Sequence, residues 1–304
     1  MSITPEERSQ SLLAAVAALY TRLQDRTLTD ADIVDPATLV EPNHDAFLTQ
    51  LLNDRAVFDK RFGTFKEPYD LFRVFGEGET VLDVGAHWGY SVLSMRHQGC
   101  RARIVSVEAM PFHIPPLETL KRLSGGSYDY VHVAASDVPD RLVFYVPVVN
   151  RRPVGGLSST GAALTPDRAR IVADRAADFP PVTEGAPDEV GLAVLEVAAL
   201  PLDDIVQALG ASVPQIGAIK MDIEGHEGAA LKGARQLITS RKPILMVEGG
   251  GQPAVREAMR EYGYIRAARV DGQLVPWNNH PKASDTFWYH PDTTETLRSR
   301  GLAP

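Results

Sequence analysis

The sequence predicts a doubly wound α/β fold, and three observations lead there. Five short runs are nearly continuous in Val, Ile, Leu and Ala, and helical stretches alternate with them. The first run ends in a glycine-bearing turn followed by a helix, within "TVLDVGAHWGY", Thr80–Tyr90. Strands buried on both faces of a parallel sheet read as unbroken apolar runs, and their parallel pairing needs helical crossovers. In such a sheet the ligand site lies outside the carboxyl ends of the strands.

Each element follows in order. Thr4, Pro5 and Glu7 form a capping-box start with proline at the first helical position. Leu12, Leu13, Val16, Leu19, Tyr20 and Leu23 then recur at helical spacing, so an amphipathic helix is expected to pack its stripe on the main domain. A homodimer contact is the alternative use of that stripe. The five strands are "TVLDVGA", "RIVSVEA", "YVHVAAS", "GAIKMDI" and "PILMVEG".

Between Pro147 and Val190 the regularity fails in a stretch rich in Pro, Gly, Ala and Arg, with one short helix expected near Pro166 to Ala177. An insertion on the rim of the sheet accounts for it. At the C-terminus "EYGYIRAARVDGQLVPW" and "DTFWYHP" read as two further strands, joined by a connection too long for a tight hairpin. The expected organisation is a helical extension over 1–64 and a main domain over 65–304, with a substrate-side insertion at 147–190.

Composition narrows the function classes. With 304 residues, 44% apolar and 23% charged, the chain has the make-up of a globular protein with a packed core. A net charge of −8 gives no global basic field, which disfavours nucleic acid as a partner. The single cysteine, Cys100, cannot form an intramolecular disulfide, and "MSITPEERSQ" lacks the basic start and apolar run of a signal peptide. A cytoplasmic location is expected. No apolar run approaches the roughly 20 residues that span a bilayer.

The turn after the first strand holds the main clue. A strand, a glycine turn and a helix put unpaired backbone N–H groups beside a ligand. The dinucleotide pattern G-x-G-x-x-G requires glycine where this chain has His87 and Tyr90. What remains is Asp83, Gly85 and Gly89, and a carboxylate there suits the ammonium of an amino-acid moiety better than a pyrophosphate. Glu108, 25 residues beyond Asp83, ends the next strand where such folds place an acid on ribose hydroxyls. Asp137, with Ser136 beside it, follows the third strand and can accept the adenine amino hydrogen. Three strand ends in order thus offer amino-acid, ribose and adenine contacts.

These segments, "VLDVGAHWGYSVL", "VSVEAMP", "AASD", "LDDIV", "IKMDIEGHEGAALKGA" and "ILMVEG", resemble the FkbM family of S-adenosylmethionine-dependent methyltransferases over about Phe65 to Tyr289. The resemblance implies the class I methyltransferase (Rossmann-like) fold, a seven-stranded, mostly parallel sheet with helices on both faces and an antiparallel last strand. It implies methyl transfer to a hydroxyl of a sugar, glycan or polyketide-like natural product. Cofactor contacts are implied for Glu67 in the acidic segment before the first strand, and for Asp83, Gly85, His87, Gly89, Tyr90 and Ser91 at the first turn. Glu108, Ala109, Ser136, Asp137 and Asp222 complete that set. The family commonly carries asparagine at the position of His87, here read as a turn residue lining the pocket.

Methyl transfer from a sulfonium is an in-line displacement, so alignment of the reacting atoms and a base for the hydroxyl proton are required. The fourth strand end supplies candidates in Lys220, Asp222, Glu224, His226 and Glu227, with Asp222 leading as base or positioning acid. Lys220 orients the acceptor or pairs Asp222; Glu224 and Glu227 have the alternative of capping the next helix. Metal is not expected, although Asp222, Glu224 and Glu248 are the carboxylates a Mg²⁺ would use. Arg151, Arg152, Arg168, Arg170 and Arg175 raise the alternatives of an anionic acceptor or a solvated surface. Two other functions compete: a nicotinamide-dependent oxidoreductase, and a cofactor-binding module without turnover.

Overall fold

The computed structural model describes residues 4–39, 45–62, 68–154, 166–176, 179, 181, 186–270, 272–277 and 285–302. Helices α1 (Pro5–Gln24), α2 (Asp45–Asn53) and α3 (Arg55–Phe62) precede β1 (Thr80–Val84) and α4 (Tyr90–His97). Next come β2 (Arg103–Glu108), α5 (Ile114–Leu123), β3 (Tyr128–His132), β4 (Ala134–Ser136), β5 (Asp140–Val149) and β6 (Arg152–Pro153). They are followed by α6 (Pro166–Ala176), β7 (Val190–Pro201), α7 (Leu202–Leu209), β8 (Ile216–Met221), α8 (Glu227–Lys232) and α9 (Arg235–Arg241). The last elements are β9 (Ile244–Glu248), α10 (Pro253–Glu261), β10 (Ile265–Val270), β11 (Gln273–Pro276), β12 (Asp285–Tyr289) and α11 (Thr294–Ser299).

The chain divides into two compact units, residues 43–140 with 198–304, and residues 1–42 with 141–197. These bounds differ from the expected break at 64: residues 45–62 go with the larger unit, and α1 shares the smaller one with the insertion.

In the larger unit an eight-stranded sheet runs β11-β10-β12-β9-β8-β1-β2-β3. Strands β3, β2, β1, β8 and β9 pair in parallel, and β12 runs antiparallel to both β9 and β10. The period of two sorts their side chains onto two faces. Val81, Ile104, Ala218 and Met246 pack with Phe58, Phe72, Leu93 and Leu117. Leu82, Val105, Ile219, Leu245 and Val247 pack with Ile205, Leu231, Ile238 and Met259. Burying each such side chain contributes roughly 1.5–3 kcal/mol, which explains why these runs are continuous in apolar residues.

Three departures from expectation have local causes. The strand number is eight because "IRAARVDGQLVP" folds as the hairpin β10–β11, turning at Gly272 with φ +84°. "YVHVAAS" divides at Val133, whose amide donates to the Glu108 carbonyl; β4 then leaves the main sheet and pairs with Ala199–Pro201 at the end of β7. "EGAALKGARQLI" forms two helices, α8 and α9, broken at Gly233, where a Cβ would lie 1.9 Å from the Ser136 carbonyl oxygen.

In the smaller unit α1 opens with the expected capping box: Thr4 donates its amide to Glu7, and Glu7 donates its own to the Thr4 hydroxyl. Leu12, Val16, Leu19 and Tyr20 pack on Ala169, Val172 and Ala173 of α6. Leu13, expected on that stripe, is exposed. The insertion is more regular than expected at its ends, with β5 between β7 and β6. Arg8 pairs with Asp188 at 2.8 Å, and Arg22 with Asp32 at 2.5 Å.

Candidate functional site

The carboxyl end of β1 turns through three left-handed residues, Gly85 (φ +83°), His87 (φ +52°) and Gly89 (φ +96°). At Gly85 no side chain fits, since a Cβ would lie 1.8 Å from the Asp222 carbonyl oxygen. The Asp222 amide donates to Val84 O at 3.0 Å, so the ends of β1 and β8 are clasped through backbone. His87 tolerates its conformation at a cost of about 1–2 kcal/mol.

Strand register brings a buried charge cluster together beneath this turn. Asp83 is flanked in register by Ser106 on β2 and Lys220 on β8. Its carboxylate has no exposure; Oδ2 accepts from the Ser91 hydroxyl at 2.7 Å and the Ser106 hydroxyl at 3.0 Å, and Oδ1 lies 3.5 Å from Lys220 Nζ. Lys220 also donates to the Gly85 carbonyl at 2.7 Å and lies 3.6 Å from Asp222 Oδ2. Burial opposes its charge, but Asp83 and then Asp222 overcome that and hold the ammonium protonated far above its ordinary range.

Glu108 is also buried. Its Oε2 accepts the His87 amide at 2.7 Å; Oε1 accepts the Met110 amide at 2.8 Å and lies 3.2 Å from His113 Nδ1. Burial would raise its pKa, yet His113 and the two amides hold it below the ordinary carboxylate range. The His113 ring in turn lies 3.9 Å, centroid to centroid, from His87. An ionised carboxylate has about four acceptor positions, and these contacts use three of them.

The turn after β8 presents Asp222, whose side chain is 39% exposed, together with Glu224 and His226. Glu224 is itself left-handed at φ +57°. Glu227 is buried and braces this turn from below, its Oε1 accepting the amides of Ile223 at 3.0 Å and Gly225 at 3.1 Å. His226 Nε2 lies 3.1 Å from the Ser136 hydroxyl.

Asp83, Gly85, Ser91, Lys220 and Asp222 are therefore one group, Glu108 and His87 a second, and Ser136 and His226 a third. Tyr90 starts α4 within an aromatic cluster with Phe58 and Phe62. Ala109 turns its carbonyl toward His132 Nε2 at 3.0 Å, and Asp137 is exposed. Glu67 lies outside the described residues. Among the described residues no three His, Cys, Asp or Glu side chains gather to hold a metal, so the magnesium alternative at Asp222, Glu224 and Glu248 gains no support.

The insertion arginines have local partners: Arg151 donates to Thr38 O at 2.9 Å and Arg152 stacks over Phe179. Arg170 is exposed on α6, and the Arg168 side chain lies outside what is described. Sequence reasoning missed His113, whose only signal was its place five residues after Glu108. It also missed the aromatic contacts of Trp88 with Phe47 and Phe62, which join distant segments.

The family described as "Methyltransferase FkbM domain" matches residues 83–266. No curated protein matches the chain. Among solved structures, a methyltransferase FkbM from Methylobacillus flagellatus KT is 14% identical, over 90% of this chain and 58% of that one, with a TM-score of 0.43. The chain thus spans under two thirds of that protein's length. A precorrin-6y C5,15-methyltransferase from Geobacter metallireducens GS-15 is 10% identical, over 85% of this chain and 95% of that one, with a TM-score of 0.35. An O-methyltransferase from Bacillus cereus, solved in complex with SAH, is 13% identical, over 91% and 89%, with a TM-score of 0.31.

Proposed function

The chain belongs to the FkbM methyltransferase family, and from that premise we propose that it is an S-adenosylmethionine-dependent O-methyltransferase. Its acceptor, on this reading, is a hydroxyl of a sugar, glycan or polyketide-like small molecule. The observation that carries the reading is the turn after β1, pressed against Asp222 so that a half-exposed carboxylate stands beside the glycine turn.

The residues present fit the cofactor. Glu108 keeps an acceptor position for a ribose hydroxyl, and Asp137 is exposed where an adenine amino group can donate to it. Asp83 fits less directly, because its charge is already met by Lys220 and two hydroxyls. We assign it to holding the turn, with Ser91, rather than to contacting the ligand. When bound, S-adenosylmethionine supplies the methyl group on a sulfonium.

Asp222 then orients the acceptor hydroxyl and takes its proton. Lys220 cannot act as the base, because it stays protonated; it fixes the Asp222 carboxylate instead. His226, held at Ser136, is the rival base. A cytoplasmic location belongs to the same reading, supported by the lone, buried Cys100.

Calorimetry with S-adenosylmethionine and, separately, NAD tests the cofactor, with Glu108→Ala as control. Saturable binding of the first alone, weakened by the substitution, is expected; binding of NAD alone would replace the reading by an oxidoreductase. Product detection with sugar and polyketide acceptors tests turnover. Asp222→Asn should lower kcat about 10²–10⁴-fold, and calorimetry on the same variant separates a lost base from a lost cofactor contact. An unchanged kcat would move the base to His226, and cofactor binding without any methylated product would favour a binding module.

A further inference from the structure

To serve a ribose, Glu108 has to be held still, and its contacts show what holds it. Oε2 is tied to the turn after β1 through the His87 amide at 2.7 Å. Oε1 is tied twice to the segment after β2, through the Met110 amide at 2.8 Å and His113 Nδ1 at 3.2 Å. The two amides belong to the backbone of these turns, whatever their side chains. His113 is the one side chain among the described residues that bonds this carboxylate.

The ring has no competing duty. His113 closes the short helix Pro111–His113 and stands at the N-cap of α5, yet its side chain makes no capping bond there. That side chain is 8% exposed, with Phe112 edge-on at 4.5 Å and His87 at 3.9 Å between ring centroids. Glu108, His113 and His87 thus close a circuit: carboxylate to imidazole, imidazole to imidazole, and the His87 amide back to the carboxylate. An ionised carboxylate only accepts, so Nδ1 must carry a proton. Burial pushes the Glu108 pKa up, and His113 counters it more than either amide does. A buried carboxylate that loses such a donor is freer to turn or to take up a proton, and either change spoils it as an acceptor.

Resting on the S-adenosylmethionine reading above, we propose that His113 is a positioning residue for the cofactor: its Nδ1–H holds Glu108 in the orientation that accepts a ribose hydroxyl.

Calorimetry with S-adenosylhomocysteine tests this on wild type, His113→Leu, His113→Asn, Glu108→Gln and the double variant of His113→Leu with Glu108→Gln. His113→Leu removes the donor and should weaken binding about tenfold or more. His113→Asn puts an amide N–H near the place of Nδ1 and should recover most of that loss. Added to Glu108→Gln, His113→Leu should cost little more than Glu108→Gln alone, because His113 acts through the carboxylate. Equal losses from His113→Leu in both backgrounds, or an asparagine variant as weak as the leucine one, would overturn the role and leave packing alone. Nitrogen NMR of the wild-type imidazole supplies a readout that stands even if His113→Leu does not fold. A protonated Nδ1 whose signal moves on titration with S-adenosylhomocysteine is expected; a bare Nδ1 would overturn the contact. Absence of any binding by wild type would overturn the cofactor reading and this role with it, whereas binding with additive losses overturns the role of His113 alone.

Discussion

The two compact units are fastened differently. In the larger one, five parallel strands bury apolar side chains on both faces, and a slip of one residue would turn every one of them to the wrong side. In the smaller one, α1 packs on α6 through a single stripe, and partly exposed charged pairs supplement that contact. Arg8 bridges Asp188 and the Phe179 carbonyl, and Asn150 joins the same carboxylate. Partly exposed pairs of this kind contribute little each. Precision is therefore concentrated where β1, β2 and β8 end, and Asp83, Glu108, Lys220 and Asp222 stand on or beside those ends.

The largest effect that would break this contrast comes from Gly85→Ala. The new methyl would overlap the Asp222 carbonyl, which is backbone and cannot swing aside, and φ +83° adds left-handed strain. A loss above about 4 kcal/mol is expected in denaturant unfolding. A near-neutral variant would show that the clasp between β1 and β8 yields, and that the larger unit is less exacting than its register suggests.

A smaller effect is expected from Arg8→Ala. It should cost about 1–2 kcal/mol, since Asn150 still serves Asp188. Amide exchange should rise in α1 and leave β1 unchanged. Equal acceleration in both would mean the two units unfold as one.

Mild acid should give the smallest response, and it sharpens the comparison. Arg22, with the Thr29 amide, pulls Asp32 down to about 2, and Arg8 and Asn150 hold Asp188 low against the opposing effect of burial. Carboxylates with depressed folded-state values stabilise fully above their ordinary value of about 3.9, and that contribution is lost as the pH falls toward the folded value. Between pH 4 and 2, on the order of these values, exchange in α1 should rise before exchange in β8. Glu108 shifts in the same direction, so the larger unit responds too, but its apolar faces do not titrate. The reverse order would sink the contrast.

The legible parts of the molecule are those where one physical rule decides. The strands β1, β2, β8 and β9 were readable because burial on two faces demands unbroken apolar runs, and α1 because its capping box is local. The hairpin at Gly272 was missed because its turn lay inside what looked like one strand. The departure of β4 was missed because Val133 is as apolar as its neighbours, and only its bond to the Glu108 carbonyl reveals the break. In the site, residue types announced Asp83, Glu108 and Asp222. Their division of labour was not visible, because it depends on cross-strand register: Asp83 meets Ser106 and Lys220 only when three strands align.

Glu227 has a last consequence. It grips the Ile223 and Gly225 amides from within, so the shape of the turn depends on backbone and on a residue that faces away from solvent. Asp222, Glu224 and His226 are spared that duty. Such a scaffold separates the residue that shapes the loop from the residues the loop displays, so a substitution at an outward position leaves the backbone hydrogen bonds of the turn in place.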